Sequence, residues 1–299
     1  SAIAEAALGD AYGAGTRTTA VLIQHDARPI AQAYAPGFDG DLPQRTWSVA
    51  KSIAATLVGA AQLEGAANVT QSAGLGIDEI DPRGAITIDH LLRMASGRTS
   101  DTAGNRTDPI YWGGAAISER AADWPLIHAP GSTYRYANND TLMAVRAIAP
   151  HLATVSPADF FAKVGMNATV AETDWRGDYV LSSQVWSTAR DLARLGQLYL
   201  DNGTTRDGVR VFADDWRAYV ASPAGPQPDG PFGYGAGFWL MNDSEGVPPD
   251  SFAGFGNRGQ YLVIVPSRDL VIVRRGEDPV GNRFDIAAFT RDIIAALQP

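Results

Sequence analysis

The chain has 299 residues and a formal net charge of −9, and 45% of its residues are hydrophobic against 19% charged. This composition is ordinary for a soluble globular protein with a sizeable core, arranged as one large domain or two smaller ones, and the acidic balance argues against nucleic acid or an anionic membrane as a partner. The absence of cysteine excludes disulfides, thiolate metal sites and a cysteine nucleophile.

The beginning of the chain predicts two helices that flank a β-hairpin. Residues 1–13 are rich in alanine and amphipathic, as expected of a helix. Thr18–Ile23 and Pro29–Ala35 are typical of strands, and His25–Arg28 forms the turn between them. A polar loop then leads into an alanine-rich segment at Ser48. Its apolar residues follow helical spacing, which predicts the second helix.

The middle of the chain is predicted to be helical and rich in loops. Asn68–Gly84 is loop-like, and Arg98–Gly131 has the composition of loops and short helices that surround a site. A short helix is expected over Ile86–Ser96, with Thr87 or Asp89 as its cap. The longer predicted helices are Thr141–Leu152, Pro157–Val164 and Thr188–Leu200.

The last part of the chain predicts strands and a closing helix. The predicted strands are Phe232–Met241, Tyr261–Val265 and Leu270–Arg274, and the predicted helices are Trp216–Ala221 and Phe284–Leu297. The last two strands are expected to form a hairpin over Pro266–Asp269. Strands at both ends and helices between them predict an α/β (α+β) fold, with one antiparallel sheet flanked by the terminal helices. The expected division is a sheet domain of residues 1–60 and 180–299 with an inserted all-helical lobe of residues 61–179.

Ser48 and Lys51 have the spacing of a nucleophile and its base. In the first turn of a helix, unpaired N–H groups and the helix dipole stabilise a developing anion, and a side chain three residues on shares the same face. The chain has only two lysines, Lys51 and Lys163, among 24 basic residues. Arginine serves where a permanent charge suffices, so a lysine here indicates a group that is deprotonated. The simpler alternative is a serine cap followed by a solvent-exposed lysine.

Tyr136 and Asn138 form a second candidate pair. They lie two residues apart on a loop that enters a predicted helix, so both side chains can point into one cleft. A phenol beside an ammonium group loses its proton more easily than in water, which suits a general base. The alternative is an aromatic corner that packs the helical lobe, with Asn138 capping the helix at Asn139 or Asp140.

Taken together, Ser48-Val49-Ala50-Lys51 and Tyr136-Ala137-Asn138 resemble the first two motifs of the serine penicillin-recognising enzymes, in the same order and with a helical lobe between them. The chain is most similar to the branch that contains class C β-lactamase-like esterases, D-alanyl-D-alanine carboxypeptidases and 6-aminohexanoate-dimer hydrolase. Further stretches that resemble this branch are residues 86–97, 187–194 and 259–266. The resemblance covers most of the chain from about residue 15, and it implies a β-lactamase/transpeptidase-like fold.

The third motif of this family departs from its pattern. β-Lactamases and peptidases of this kind carry Lys-Thr-Gly or His-Thr-Gly on a strand, whereas this chain has Gly254-Phe255-Gly256 with neither Lys nor His at its head. The small residues allow close approach of the backbone, and the Phe255 N–H is expected to form an oxyanion hole with that of Ser48. The form with two glycines is similar to the dimer hydrolases and some esterases. Arg258 either replaces the missing cation or is a solvated loop residue.

The remaining candidates are single side chains with an equally simple structural explanation. Tyr111 and Trp112 either cover an acyl chain or pack the lobe. Asp108 either binds a substrate amine or is merely solvated, and Trp186 either lines the cleft or belongs to the core. The four histidines are dispersed and no serine elbow is present, which argues against a zinc peptidase and an α/β-hydrolase triad.

The residues and the resemblance predict a serine hydrolase that cleaves carboxylic esters or linear amides through an acyl-enzyme on Ser48. Lys51 and Tyr136 transfer the proton of the Ser48 hydroxyl, and Asn138 positions Lys51 or the substrate. The alternatives are a β-lactamase or D-alanyl-D-alanine carboxypeptidase, and a penicillin-binding-like sensor without turnover. We expect a small-molecule substrate and no metal, organic cofactor, nucleic acid or membrane span. The oligomeric state is open.

The chain begins with Ser rather than Met, so we expect that it was processed or cut from a longer one. A cytoplasmic and an exported location both stay open.

Overall fold

The main sheet of the protein is antiparallel and is built from both ends of the chain. The computed structural model describes residues 2–99 and 107–297. The strands are β1 (Thr18–His25), β2 (Arg28–Tyr34), β3 (Gln44–Arg45), β4 (Val170–Ala171), β5 (Val185–Ser187), β6 (Gly233–Tyr234), β7 (Trp239–Leu240), β8 (Phe252–Gly256), β9 (Gln260–Val265) and β10 (Leu270–Gly276). Within these described ranges, seven strands form the main sheet in the order β2-β1-β10-β9-β8-β7-β6. The predicted antiparallel sheet is confirmed.

Helices cover both faces of this sheet. They are α1 (Ala2–Ala6), α2 (Ala50–Leu63), α3 (Ile88–Leu92), α4 (Asp108–Tyr111), α5 (Ile117–Arg120), α6 (Asn138–Ala147), α7 (Ala149–Leu152), α8 (Pro157–Val164), α9 (Ala189–Leu200), α10 (Trp216–Val220) and α11 (Ile286–Leu297). Short 3₁₀ turns lie at Trp47–Val49, Pro82–Ala85 and Pro266–Arg268. In the part of the chain that the structure describes, no helix is both long and apolar enough to cross a membrane.

The central strands divide their side chains between two hydrophobic cores. In β1, Leu22 belongs to the core that contains α2 and α9, whereas Val21 and Ile23 belong to the core under α1 and α11. This alternation follows from the pleat, because successive side chains of a strand point to opposite faces. The first core continues without a break from the sheet into α3, α6 and α8. The division into a sheet domain and a separate lobe therefore stays a prediction.

The first predicted helix is shorter than expected. It covers only Ala2–Ala6, and turns occupy the following residues. Glycines at positions 9, 13 and 15 explain the difference, because glycine disfavours a helix interior. Gly15 also has a φ of +68°, which ends any helical path at that point.

The predicted strand over 232–241 is in fact two short strands, β6 and β7, joined by a turn. Gly237 in this turn has a φ of +75°, and a Cβ there would lie 2.6 Å from the Cβ of Ala55 in α2. The turn therefore packs directly against α2, and only a glycine at position 237 permits this contact. The predicted hairpin over Pro266–Asp269 is confirmed between β9 and β10.

Two predicted helices differ at their ends. The helix expected over Thr141–Leu152 starts earlier, at Asn138. It is also interrupted at Ile148, which separates α6 from α7, and Pro150 lies in the first turn of α7. The helix expected over Ile86–Ser96 is reduced to α3, whose N-cap is Thr87 through a bond from the His90 N–H.

A second, three-stranded sheet positions the segment before Ser48. It contains β3, β5 and β4, with Arg45 paired to Trp186. The buried Arg275 on β10 donates hydrogen bonds to the carbonyl oxygens of Gln44, Arg45 and Ser187. Burial lowers the pKa of Arg275 to about 9. The Arg275 guanidinium thus links β10 of the main sheet by hydrogen bonds to β3, the strand that precedes Ser48.

Candidate active site

Ser48 lies in a strained turn that leads directly into α2. The 3₁₀ turn Trp47–Val49 precedes the helix, so Ser48 is one step outside the regular α-helical turn that was expected. Trp47 has a φ of +48°, a left-handed conformation that costs energy for a bulky side chain and that clusters at functional sites. This turn presents the Ser48 hydroxyl at the junction of the sheet and the helices.

Lys51 is buried and surrounded by oxygen atoms. Its side chain is 2% exposed, and its Nζ lies 3.0 Å from Ser48 Oγ, 2.6 Å from Asn138 Oδ1 and 2.9 Å from the Ser182 carbonyl oxygen. Burial lowers the pKa of Lys51 to about 7, because the charged form loses its hydration. In its neutral form the amine can donate its two N–H groups to Asn138 and Ser182, which leaves its lone pair to accept the proton of the Ser48 hydroxyl.

Asn138 forms a hydrogen bond with Lys51 and does not cap the helix that it begins. Its Nδ2 donates to Thr107 Oγ1 at 3.0 Å, which directs Oδ1 toward Lys51. The N-cap of α6 is Ala137, and Asn138 is the first residue of the helix. The alternative that Asn138 caps the helix is therefore wrong.

Tyr136 is a buried phenol in contact with both residues of the pair. It shares a hydrogen bond with Ser48, and Lys51 Nζ lies 5.0 Å from its ring centroid. Burial raises the pKa of Tyr136 well above its usual range, and the bond to Ser48 offsets this only in part. The expectation that the neighbouring lysine would favour a phenolate is wrong, because the loss of hydration raises the pKa of the buried phenol. Tyr136 is thus suited to donate a proton and Lys51 to accept one.

The strand β8 approaches the Ser48 turn so closely that only glycine fits. A Cβ at Gly256 would lie 2.5 Å from the Thr46 carbonyl oxygen, and one at Gly254 would lie 2.9 Å from Ser52 Oγ. This contact brings the Phe255 backbone beside the turn, and its role as an oxyanion donor stays a prediction. Arg258 is exposed in the following turn. Its proposed role also stays a prediction.

An aromatic column forms one wall of the site. Trp239 on β7 stacks on Tyr136 with 5.5 Å between ring centroids and on Phe255 with 5.7 Å. No motif pointed to Trp239, because the strand that carries it was expected to continue through the turn at Gly237. The stack fixes the plane of the Tyr136 ring beside Ser48.

Tyr111, Trp112 and Trp186 lie near Arg45, which precedes the Ser48 turn. The Tyr111 hydroxyl lies 2.6 Å from Ser182 Oγ, so Tyr111 reaches the residue that also binds Lys51. Trp112 is 68% exposed and Trp186 is 40% exposed, which rules out a place in the core for either ring. Asp108 is exposed at the start of α4. Whether these four residues bind substrate stays a prediction.

Several residues of the site escaped the sequence patterns. They are Arg45, Trp47, Thr107, Ser182 and Trp239. They come from four separate segments of the chain, since Arg45 and Trp47 share one, and none has a spacing that marks it. Among the residues that the structure describes, no three His, Asp or Glu side chains are grouped so as to hold a metal ion. The expectation that no cofactor is needed stays a prediction.

The chain has relatives among known proteins. A sequence model named Beta-lactamase matches residues 5–296. The chain is 25% identical to the 6-aminohexanoate-dimer hydrolase of Paenarthrobacter ureafaciens, over 88% of this chain and 74% of that protein.

Solved structures share the fold. A candidate 6-aminohexanoate-dimer hydrolase from Bacillus anthracis is similar with a TM-score of 0.77 and 21% identity, over 94% of this chain and 78% of that one. A D-alanine carboxypeptidase from Burkholderia cenocepacia has a TM-score of 0.67 and 20% identity, over 93% of each chain. The match to the sequence model spans nearly the whole chain, and the β-lactamase/transpeptidase-like fold agrees with it. This chain belongs to the beta-lactamase family of hydrolases.

Proposed function

We propose that the protein hydrolyses carboxylic esters or linear amides through an acyl-enzyme on Ser48. The observation that carries the proposal is the distance of 3.0 Å between Lys51 Nζ and Ser48 Oγ, at a lysine whose pKa burial lowers to about 7. A serine hydroxyl becomes a nucleophile when a neighbouring group can take its proton at working pH. The similarity to a 6-aminohexanoate-dimer hydrolase supports a linear amide as one substrate class.

The proposed reaction begins when Ser48 Oγ attacks the carbonyl carbon and passes its proton to Lys51. The Ser48 and Phe255 N–H groups hold the oxyanion. Tyr136 donates its proton to the leaving group as the bond to the carbonyl carbon breaks, and Lys51 returns a proton to Tyr136. Water then attacks the acyl-enzyme and gives a proton to the same cluster, which restores Ser48.

Esters are expected to be turned over far better than β-lactams. In a penicillin or cephalosporin the carboxylate is on the ring that carries the leaving nitrogen, and position 254, the first residue of Gly254-Phe255-Gly256, is a glycine without a charge to bind it. A charge-assisted hydrogen bond contributes about 1.5–3 kcal/mol, so its absence is expected to lower β-lactam turnover about tenfold to a hundredfold. The measurement is kcat/KM for p-nitrophenyl butyrate, a linear 6-aminohexanoate amide, nitrocefin and a D-Ala-D-Ala peptide, on one preparation.

The same panel separates the alternatives. Nitrocefin turnover that exceeds ester turnover would identify a β-lactamase, and release of D-alanine would identify a carboxypeptidase. Stoichiometric acylation without turnover would identify a sensor. In the first case, an Arg258→Ala variant tests whether Arg258 supplies the missing cation, since β-lactam turnover alone would then fall.

Replacement of Tyr136 by phenylalanine is expected to lower kcat about a hundredfold while KM changes little. The substitution removes one oxygen that bonds Ser48 and leaves the stack on Trp239 intact. Steady-state kinetics with p-nitrophenyl butyrate measure the effect. The control is Tyr134→Phe, two residues earlier in the chain. An unchanged kcat with a raised KM would make Tyr136 a substrate-binding residue.

A further inference from the structure

The guanidinium group of an arginine that precedes the proposed nucleophile in the sequence lies over aromatic rings. Arg45 precedes Ser48 by three residues, and its Cζ is 3.5 Å from the Trp47 ring centroid, 4.8 Å from that of Trp112 and 5.6 Å from that of Tyr111. Stacking of this kind fixes the plane of an arginine side chain while its edge stays available for hydrogen bonds. The group is therefore pre-oriented at the wall of the cleft.

Arg45 has hydrogen-bonding capacity that the protein does not use. Its Nη2 donates to Ser183 Oγ at 3.1 Å, and its Nε makes a long bond of 3.4 Å to the Ser183 carbonyl oxygen. Within residues 2–99 and 107–297, no acceptor binds its Nη1 and no carboxylate forms an ion pair with it. Burial lowers the pKa of Arg45, and the negative charge of Glu172 opposes this shift without a direct contact. The Glu172 carboxylate instead accepts a hydrogen bond of 2.8 Å from Trp186 Nε1.

Two other arginines near the lobe are paired with carboxylates, and Arg275, which has no carboxylate partner in the described part of the chain, donates hydrogen bonds to oxygen atoms from all three of its nitrogens. Arg93 and Arg98 each form an ion pair with a carboxylate, Asp89 and Asp140 respectively. A partly buried cation without a carboxylate pays a desolvation cost that a bound anion would offset. The missing partner of Arg45 is thus expected to come from the ligand.

The position of Arg45 identifies the part of the substrate that it faces. Ser182 accepts a hydrogen bond from Lys51, and the next residue, Ser183, accepts one from Arg45. The side chains of Lys51 and Arg45 therefore contact two consecutive residues. Tyr136, which is proposed to protonate the leaving group, stacks on the other wall against Trp239. We therefore infer that the leaving group lies beside Tyr136 and that the acyl group extends toward Arg45.

We propose that Arg45 binds a carboxylate at the far end of the acyl group, so that the preferred substrates are half-esters or half-amides of dicarboxylic acids. The apolar spacer between the two carbonyl carbons lies against Tyr111 and Trp112. This inference rests on the proposed acyl transfer at Ser48 and specifies its substrate class. The other explanation for Arg45 is purely structural, as an anchor for Ser183.

Two esters of equal chain length separate the two explanations. The mono-p-nitrophenyl ester of adipic acid carries a terminal carboxylate, whereas p-nitrophenyl hexanoate ends in a methyl group. The wild-type protein is expected to prefer the adipate ester about tenfold to a hundredfold in kcat/KM, from one charge-assisted bond. Arg45→Gln should bring this ratio close to one by raising KM for the adipate ester, and Arg45→Glu should shift the preference toward p-nitrophenyl 6-aminohexanoate.

The control is Arg176→Gln, because Arg176 is also stacked on a tryptophan, Trp175, at 4.6 Å but is paired with Glu119. This variant should keep the wild-type ratio. A structural role for Arg45 would instead lower turnover of both esters equally in Arg45→Gln and leave the ratio unchanged, which would overturn the proposal.

A binding measurement separates this inference from the proposed reaction. Calorimetry with adipate and hexanoate on a Ser48→Ala variant needs no turnover, and adipate should bind about tenfold or more tightly only while Arg45 is present. Equal binding of the two acids would show that Arg45 is not a carboxylate site, even if esters are hydrolysed. Adipate binding together with ester hydrolysis that persists in Ser48→Ala would instead contradict the proposed nucleophile alone.

Discussion

Replacement of Ser48 by alanine is expected to lower kcat for p-nitrophenyl butyrate by a factor of about 10⁴ to 10⁶, as when the nucleophile of a serine hydrolase is removed. The change removes one hydroxyl group from a half-buried position. Lys51 keeps its bonds to Asn138 and the Ser182 carbonyl oxygen, so the fold should be unaffected. Steady-state kinetics and thermal unfolding of the two proteins measure both effects.

The covalent intermediate gives a direct test of the same assignment. A fluorophosphonate or a slowly hydrolysed ester should label Ser48 in the wild-type protein, and mass spectrometry of the digest locates the adduct. Ser52→Ala is the matched control, because Ser52 lies one turn along α2 and its hydroxyl is already bonded to the Gly237 carbonyl oxygen. An adduct on another serine, or full activity in Ser48→Ala, would contradict the mechanism.

Lys51→Arg is expected to be nearly as inactive as Lys51→Met, with a loss of about 10² to 10⁴ in kcat/KM. Arginine keeps the positive charge but cannot be deprotonated, so it cannot act as a general base. The conservative control is Lys163→Arg, the other lysine of the chain, which should be fully active. If Lys51→Arg keeps most of the activity, Lys51 serves only as a fixed charge.

The pH dependence of the wild-type protein tests the same role of Lys51. Burial lowers its pKa from 10.5 to about 7, so the amine form is in the majority above that pH and falls tenfold for each pH unit below it. We expect kcat/KM to rise with pH up to about 7 and then to level off. The variant Lys51→Arg should lack this rise, and its residual activity should not follow a group with that pKa.

Much of the site could be predicted because its chemistry is encoded locally. The spacing of Ser48 and Lys51 places both on one face of a helix, whatever surrounds them, and Tyr136 and Asn138 are two residues apart on one loop. The sheet was also predictable, since the apolar strands β1, β9 and β10 are buried on both faces. The resemblance to a known family then placed these segments in one fold.

The sequence by itself thus determined that strands from both ends of the chain form the sheet, and it indicated the residues that we propose for acyl transfer. Only the tertiary structure decided their protonation, because burial by distant segments lowers the pKa of Lys51 and raises that of Tyr136. It also decided that Arg45 lies over aromatic rings and forms no ion pair with a carboxylate among the residues that the structure describes. Its neighbours Trp112 and Ser183 come from separate loops, and the distance between such loops depends on the packing of the whole chain rather than on any local pattern.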